Sequence, residues 1–490
     1  MIVSAVSLSR KYNLKASLRE SAWGDEEKDG RVYAHVTYTG HTVADGSVRI
    51  YARFGKPVGE GVHPGILLLP DAGETYDEEL MNYFIDKGYA VLMPDYSGKM
   101  SKDENGVMRT IYPPSLSYGN YEQAQGLYDL TGLEADQTTW FEWTYVALTS
   151  VKYLKHRADV GAIGVVGIKK GGDIAWQTML SPDVKCGVPI NAAGWHSLLE
   201  VSKFGPQTSS AYNLTNDRHR YIAAVEAQSY APSVHCPVLM LCALRDGGFD
   251  CDRAYDTYIR IGNKEGNALV YSPDSGACIG PNALVDMDLF LEKNLKGREI
   301  YLPDALNITL NEVGDELEIQ VEGDREGILE EAGIFYAEAE LTTRSTYREW
   351  RCIHKIPGRM VKNGRFGCRV KPFGGATAVF AYAYAKFING FRVMSKISSK
   401  KREKVNPNAV KGRRLFSGKE MDCFSVAEYK DYSIGGIFLE SDAVPKMSVG
   451  YGNIMGAYSV GGIRTYKISS PHYEPEENAL LKFEDRKSVV

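Results

Sequence analysis

From about residue 63 to residue 297 the chain repeats one pattern. A short, almost wholly apolar run ends in a turn, and a longer stretch follows in which apolar positions recur every three or four residues. The runs are HPGILLLPDAGE, YAVLMPDYSG, GAIGVVGIKKGG, VKCGVPINAAGW, CPVLMLCALRD and NALVYSPD. Apolar on both faces, such runs predict strands of a parallel sheet covered by helices on both sides. The helical periods lie in TYDEELMNYFIDKGY, TTWFEWTYVALTSVKYLKHR, GGDIAWQTMLS, CDRAYDTYIRI and NALVDMDLFLEKNLKG. In the last of these, Leu284, Met287, Leu291 and Leu295 fall on one face. Before the series, residues 31–54 alternate with period two around an Ala44-Asp45-Gly46 turn, which predicts an antiparallel hairpin.

Two polar insertions interrupt the rhythm, at about 99–136 and 196–234, each starting at a strand's carboxyl end. Lids and pockets of open α/β sheets are built there. Near Pro303 the pattern becomes all-β: ALNITLNEV, ELEIQVEG, AGIFYAEAEL, FGCRVKP, TAVFAYAYAKF and FRVMSKIS alternate between turn residues, as in a small β-sandwich. A basic linker follows, and then short strands that include YSIGGI and YSVGGI, expected to form a jelly-roll-like module. The expected domains are therefore 1–300, with the two insertions, 303–399 and 400–490.

Composition adds exclusions rather than a function. The 490 residues are 44% hydrophobic and 24% charged with net charge −5, an ordinary globular balance with no electrostatic case for nucleic acid or an anionic membrane. Eight cysteines form no CxxC, and no HxH or HExxH occurs, so neither a metal nor another cofactor is expected. The first twenty residues lack the basic start and apolar core of a secretory signal, no apolar run is long enough to span a bilayer, and most cysteines sit in apolar runs. A cytoplasmic protein is expected.

The chemistry concentrates in VVGIKKGGDIAWQ, Val165 to Gln177. A strand runs into Gly167-Ile168-Lys169-Lys170-Gly171-Gly172, and a helix leaves it. This strand–turn–helix, in its place in the βα series, resembles the nucleophile elbow of the α/β-hydrolases. Residues 48–297 are similar to the dienelactone hydrolase and acetyl xylan esterase group, and the β-sandwich to an accessory domain carried by some such esterases. The resemblance implies a carboxylic-ester hydrolase fold with the triad in the order nucleophile, acid, histidine. It places the nucleophile at Lys169, the acid at Asp246 in ALRDGG, and the histidine at Ala277 in YSPDSGACIGPN. Two of these three positions lack the required chemistry, since no histidine occurs between His235 and His354. The oxyanion hole would use the backbone N–H of Lys170 and one from Asp71, Ala72 or Gly73.

A lysine attacking an ester would stop at an amide, and Asp246 and Asp71 nearby would stabilise an ammonium, so Lys169 is expected as a charged group, paired foremost with Asp246. The alternative active site is Cys278 with His196, or with His219, acting as its base. The expected protein is a non-catalytic relative of esterases that binds an acylated or carbohydrate-like ligand or serves as a scaffold. The alternatives are an active ester hydrolase with a rearranged site and a structural component of an assembly.

Overall fold

A computed structural model describes residues 2, 4–74, 77–99, 108–199, 201–205, 215–273, 280–323, 327–341, 343–372, 376–403, 405, 455–460 and 463–468. The chain divides into two compact units. One holds Met1–Cys242, Asp246–Tyr271 and Ile279–Asp304; the other holds Ala243–Arg245, Ser272–Cys278 and Ala305–Val490.

The first unit is built on a nine-stranded sheet. Its strands are β1 (Ser21–Lys28), β2 (Arg31–Val43), β3 (Gly46–Pro57), β4 (His63–Leu69), β5 (Ala90–Pro94), β6 (Val160–Ile168), β7 (Val184–Ile190), β8 (Leu239–Ala243) and β9 (Ala268–Ser272). They lie in the order β1-β2-β3-β5-β4-β6-β7-β8-β9. The hairpin of β2 and β3 is antiparallel, as the alternation predicts, and β3 pairs antiparallel with β5. From β5 inward the pairs β4–β5, β4–β6, β6–β7 and β7–β8 are parallel. Ile66, Leu67, Leu68 and Leu69 are all fully buried, as a central strand covered on both faces requires. Strand β1 was not anticipated. Its sequence, SAWGDEEK, has a glycine and four charges in eight residues and pairs only with the outer edge of β2.

The covering helices include α1 (Ala5–Ser9), α2 (Glu78–Asp86), α3 (Thr139–His156) and α4 (Lys170–Thr178). Helix α3 is buried along most of its length, which explains its weak amphipathic signal. Thr144 on α3 donates to Gln177 on α4 at 2.8 Å, and Trp143 donates to Gly119 O at 2.7 Å. The second of these contacts belongs to the insertion at 99–136, whose described part includes the short 3-10 turns Pro114–Gly119 and Tyr121–Gln123 and runs into a third, Ala135–Gln137. In helix Pro281–Lys296, Met287, Leu291 and Leu295 are buried as expected, while Leu284 is only half-buried. Among the described residues no helix is long and apolar enough to cross a membrane.

The position of the site follows from the strand order. The chain leaves β4 to form β5 on one side of it, then returns to form β6 on the other. The carboxyl ends of β4 and β6 therefore flank a point where the connections part in opposite directions, the crevice where open α/β sheets bind ligands. Asp71 follows β4 there and Lys169 follows β6.

The second unit is all-β. One sheet runs β10 (Asn307–Val313), β11 (Glu316–Glu322), β14 (Arg365–Val370). The other runs β13 (Arg351–Pro357), β12 (Leu329–Ala339), β15 (Ala378–Phe387), β16 (Arg392–Met394), with β17 (Ser398–Lys401) also on β15. Leu317, Ile319 and Val321 of the first sheet share one core with Ile334, Tyr336, Val379 and Ala383 of the second, the sandwich arrangement read from period-two alternation. Beyond residue 405 the description is confined to the hairpin of β18 (Met455–Val460) and β19 (Ile463–Ile468). The expected jelly-roll-like module otherwise lies outside the described residues.

Candidate functional site

The turn between β6 and α4 is as tight as its glycines imply. A Cβ added at Gly171 would stand 2.1 Å from Leu69 O, and one at Gly167 would stand 2.2 Å from Gly171 O. The residue at the apex must then bend back sharply. Lys169 does so with φ 50° and ψ −114°, a left-handed conformation that a side-chain-bearing residue adopts only at a cost of about 1–3 kcal/mol. The turn is held by Lys169 N–H donating to Ile190 O at 2.8 Å and Asp173 N–H donating to Lys169 O at 3.0 Å. The strained geometry of a nucleophile elbow is thus present with a lysine at its apex.

The partner of Lys169 differs from the one expected. Its Nζ lies 3.7 Å from Asp71 Oδ2, and Lys170 Nζ lies 3.8 Å from Asp71 Oδ1. Asp246 is held elsewhere: Oδ2 accepts from Asn191 Nδ2 at 2.9 Å, and Oδ1 accepts from Gly248 N–H at 2.8 Å. The reason is reach. Asp71 stands at the end of the strand directly beside β6, whereas Asp246 follows β8, two strands away.

Three of the main-chain donors expected to form an oxyanion hole, the N–H groups of Lys170, Ala72 and Gly73, are engaged. Asp71 Oδ1 accepts from Ala72 N–H at 2.9 Å and from Lys170 N–H at 3.3 Å. Gly73 N–H donates to Ser97 Oγ at 3.3 Å. A carboxylate therefore lies on the amide that follows the elbow apex.

A second charged cluster hangs from the same helix. Asp173, in the first turn of α4, accepts from His196 Nε2 at 2.7 Å through Oδ2. Glu226, buried 30 residues further along, accepts from the N–H groups of His196 and Ser197, both at 2.9 Å, and from Ser197 Oγ at 2.6 Å. Burial alone would lower the pKa of His196. The charge and hydrogen bond of Asp173, joined by Glu226, outweigh burial and the nearby Lys170 and raise it to about 9. Burial pushes the Glu226 carboxyl up, opposed by His196 and the Ser197 hydrogen bonds. A pKa near 9 favours the imidazolium at neutral pH, its Nε2 held by Asp173 and its main chain by Glu226, and an imidazolium has no free lone pair to act as a general base.

The remaining predicted residues divide in two. Ala277 and Cys278 lie outside the described residues. His219 is exposed on helix Asn216–Ala224. Among the described residues no group of three or more His, Cys, Asp or Glu side chains is placed to hold a metal ion. Sequence reasoning missed Asp173 and Glu226 altogether. The one available signal was an acid in the first turn of the helix after the elbow, which spacing alone does not separate from a helix-start preference.

No protein-family model and no curated protein matches this chain. Solved structures similar to it include acetyl xylan esterase 1 from Thermoanaerobacterium sp. JW/SL YS485, with 16% identity, a TM-score of 0.44, and 58% of this chain and 90% of that one covered. The acetyl xylan esterase from Paenibacillus sp. R4 shares 17% identity at a TM-score of 0.44, over 59% of this chain and 92% of the other. A cold-adapted esterase from an Arctic intertidal metagenomic library shares 14% identity at a TM-score of 0.37, over 56% and 99%. What identifies the fold is this chain's own geometry: the strand order β2-β3-β5-β4-β6-β7-β8-β9, an antiparallel start to a parallel sheet, and a strained elbow after β6. By that geometry the first unit has the α/β-hydrolase fold.

Proposed function

We propose that this protein is a non-catalytic relative of the carboxylic-ester hydrolases. It keeps the fold and its crevice to bind an acylated or carbohydrate-like ligand, or to act as a scaffold. The observation that carries this reading is the lysine at the elbow apex, ion-paired to Asp71, where ester hydrolysis needs a nucleophile whose acyl product water can release. An acyl group transferred to an amine becomes an amide and ends turnover. His196, the histidine tied to this helix, is charged and held by Asp173, so it supplies no base to a neighbouring thiol or hydroxyl.

The test is hydrolysis of a short-chain aryl acetate by the whole protein, beside Lys169→Ala and Cys278→Ala. The expected result is no rate above buffer in any of the three. A saturable wild-type rate abolished by Cys278→Ala would overturn the reading and make the protein a thiol esterase. A rate lost only in Lys169→Ala would assign chemistry to the lysine.

A further inference from the structure

The carboxylate of Asp71 occupies a position with a specific meaning in this fold. In an α/β-hydrolase elbow, the amide after the apex and an amide from the turn after the neighbouring central strand receive the carbonyl oxygen of the substrate. Here those donors are Lys170 N–H and Ala72 N–H, and both point to Asp71 Oδ1, at 3.3 and 2.9 Å. The ammonium groups of Lys169 and Lys170 stand 3.7 and 3.8 Å from the same carboxylate. Its side chain is only 15% exposed, while those of the two lysines are 34% and 27% exposed, so the anion sits beneath its cations. Two amide donors and two positive charges converge on one internal anion.

We propose that Asp71 is a built-in occupant of the oxyanion site, an autoinhibitory contact that keeps small carboxylates out of the crevice. Beyond its Cα, an aspartate side chain is an acetate ion in all but its tether. Asp71→Gly removes that fragment and leaves both amides and both ammoniums facing a space of the same shape. The inference concerns who fills the hole and goes beyond the loss of the serine. A serine restored at position 169 would still face a filled hole.

The competing explanation is a helix cap. Lys169, the residue preceding α4, makes no side-chain capping bond, so Asp71 also supplies an acceptor to the first amide of that helix. Both accounts predict that Asp71→Gly lowers the unfolding midpoint. Only the occupant account predicts that free acetate takes the vacated place.

The experiment titrates the full chain with sodium acetate against sodium chloride at matched ionic strength and pH 7. Binding is read from the thermal midpoint and from line broadening of labelled acetate. The wild-type midpoint is expected to stay unmoved. In Asp71→Gly, acetate and not chloride raises the lowered midpoint, with an affinity at least about tenfold above wild type. Adding Lys169→Met to that variant weakens acetate binding again. Should Asp71→Gly fail to fold, Asp71→Ala with formate asks the same question with one carbon fewer. Acetate or formate binding no tighter than in wild type would overturn the proposal, as would wild type binding acetate as tightly as the variant. Aryl-acetate turnover by wild type would instead defeat the non-catalytic reading and leave the acetate titration to decide the occupant separately.

Discussion

Two ion clusters hang from the first turn of α4, and they are built to different tolerances. On one side Lys169 and Lys170 reach Asp71 at 3.7 and 3.8 Å with their side chains about a third exposed. On the other, His196 meets Asp173 at 2.7 Å with side chains only 14% and 6% exposed, and Glu226 closes the network from behind. Long, part-exposed ion pairs contribute about 0–1 kcal/mol, because water screens them and two flexible side chains must be held still. A buried pair with short hydrogen bonds is different: removing one partner strands the other without solvent. The comparison separates an open cluster that can exchange its occupant from a closed one that clamps the segment after β7 to α4.

The largest effect should follow from breaking the closed cluster. His196→Ala leaves the buried Asp173 carboxylate without its imidazole partner, and Asp173 Oδ1 already has no hydrogen-bond partner among the described residues. A loss of about 3 kcal/mol is expected in the unfolding of the α/β unit. Tryptophan fluorescence reports that transition, because five of the six tryptophans belong to this unit. A loss below about 1 kcal/mol would show that the cluster is no clamp.

The same cluster carries a pH dependence of fixed sign. His196 is raised to about 9 in the folded chain, above the unfolded value of about 6.5. Its contribution is therefore complete below pH 6.5 and is lost as pH rises through about 9. Lys170 opposes the imidazolium charge while Asp173 and Glu226 support it. Wild type is expected to lose on the order of 2 kcal/mol between pH 6.5 and 9.5 relative to His196→Ala. Parallel pH profiles for the two proteins would remove His196 as the titrating group.

Much of this arrangement was legible from the order of apolar runs. Each run in the βα series became a strand, and the hairpin at 31–54 and the elbow at 165–177 stand where alternation and glycine spacing placed them. Strand β1 was not legible, since an edge strand packed on one side needs no periodic apolar residues. The site was readable only where the main chain decides it. The turns after β4 and β6 follow from strand order, and so do the amides of Lys170 and Ala72. Which carboxylate meets which cation was not readable, because Asp71, Asp246 and Glu226 arrive on separate loops and pair by side-chain reach across the sheet edge. Asp71 stood in plain view directly after ILLLP, where an amide-lined turn was expected. Its charge is legible there as one of two carboxylates near the Lys169 ammonium, but the choice of Asp71 over Asp246 as the partner is not.

The smallest effect, and the sharpest test of the open cluster, lies at Lys169. At φ 50° and ψ −114° its backbone favours glycine, and the turn holds a lysine there at a strain of about 1–3 kcal/mol. Lys169→Gly relieves that strain, but it adds freedom to the unfolded chain worth about 0.4–1 kcal/mol and gives up a long ion pair with Asp71. Lys169→Ala gives up the same ion pair and relieves nothing, since the strain belongs to the Cβ. The glycine variant is therefore expected to be about 1 kcal/mol more stable than the alanine variant, with alanine within about 0.5 kcal/mol of wild type. Urea unfolding of all three proteins measures the difference with the ion-pair term cancelled between the two variants. If glycine proves no better than alanine, the elbow stores no strain. If alanine instead falls well below wild type, the Lys169–Asp71 pair is tighter than its distance indicates, and the open cluster is as closed as its neighbour.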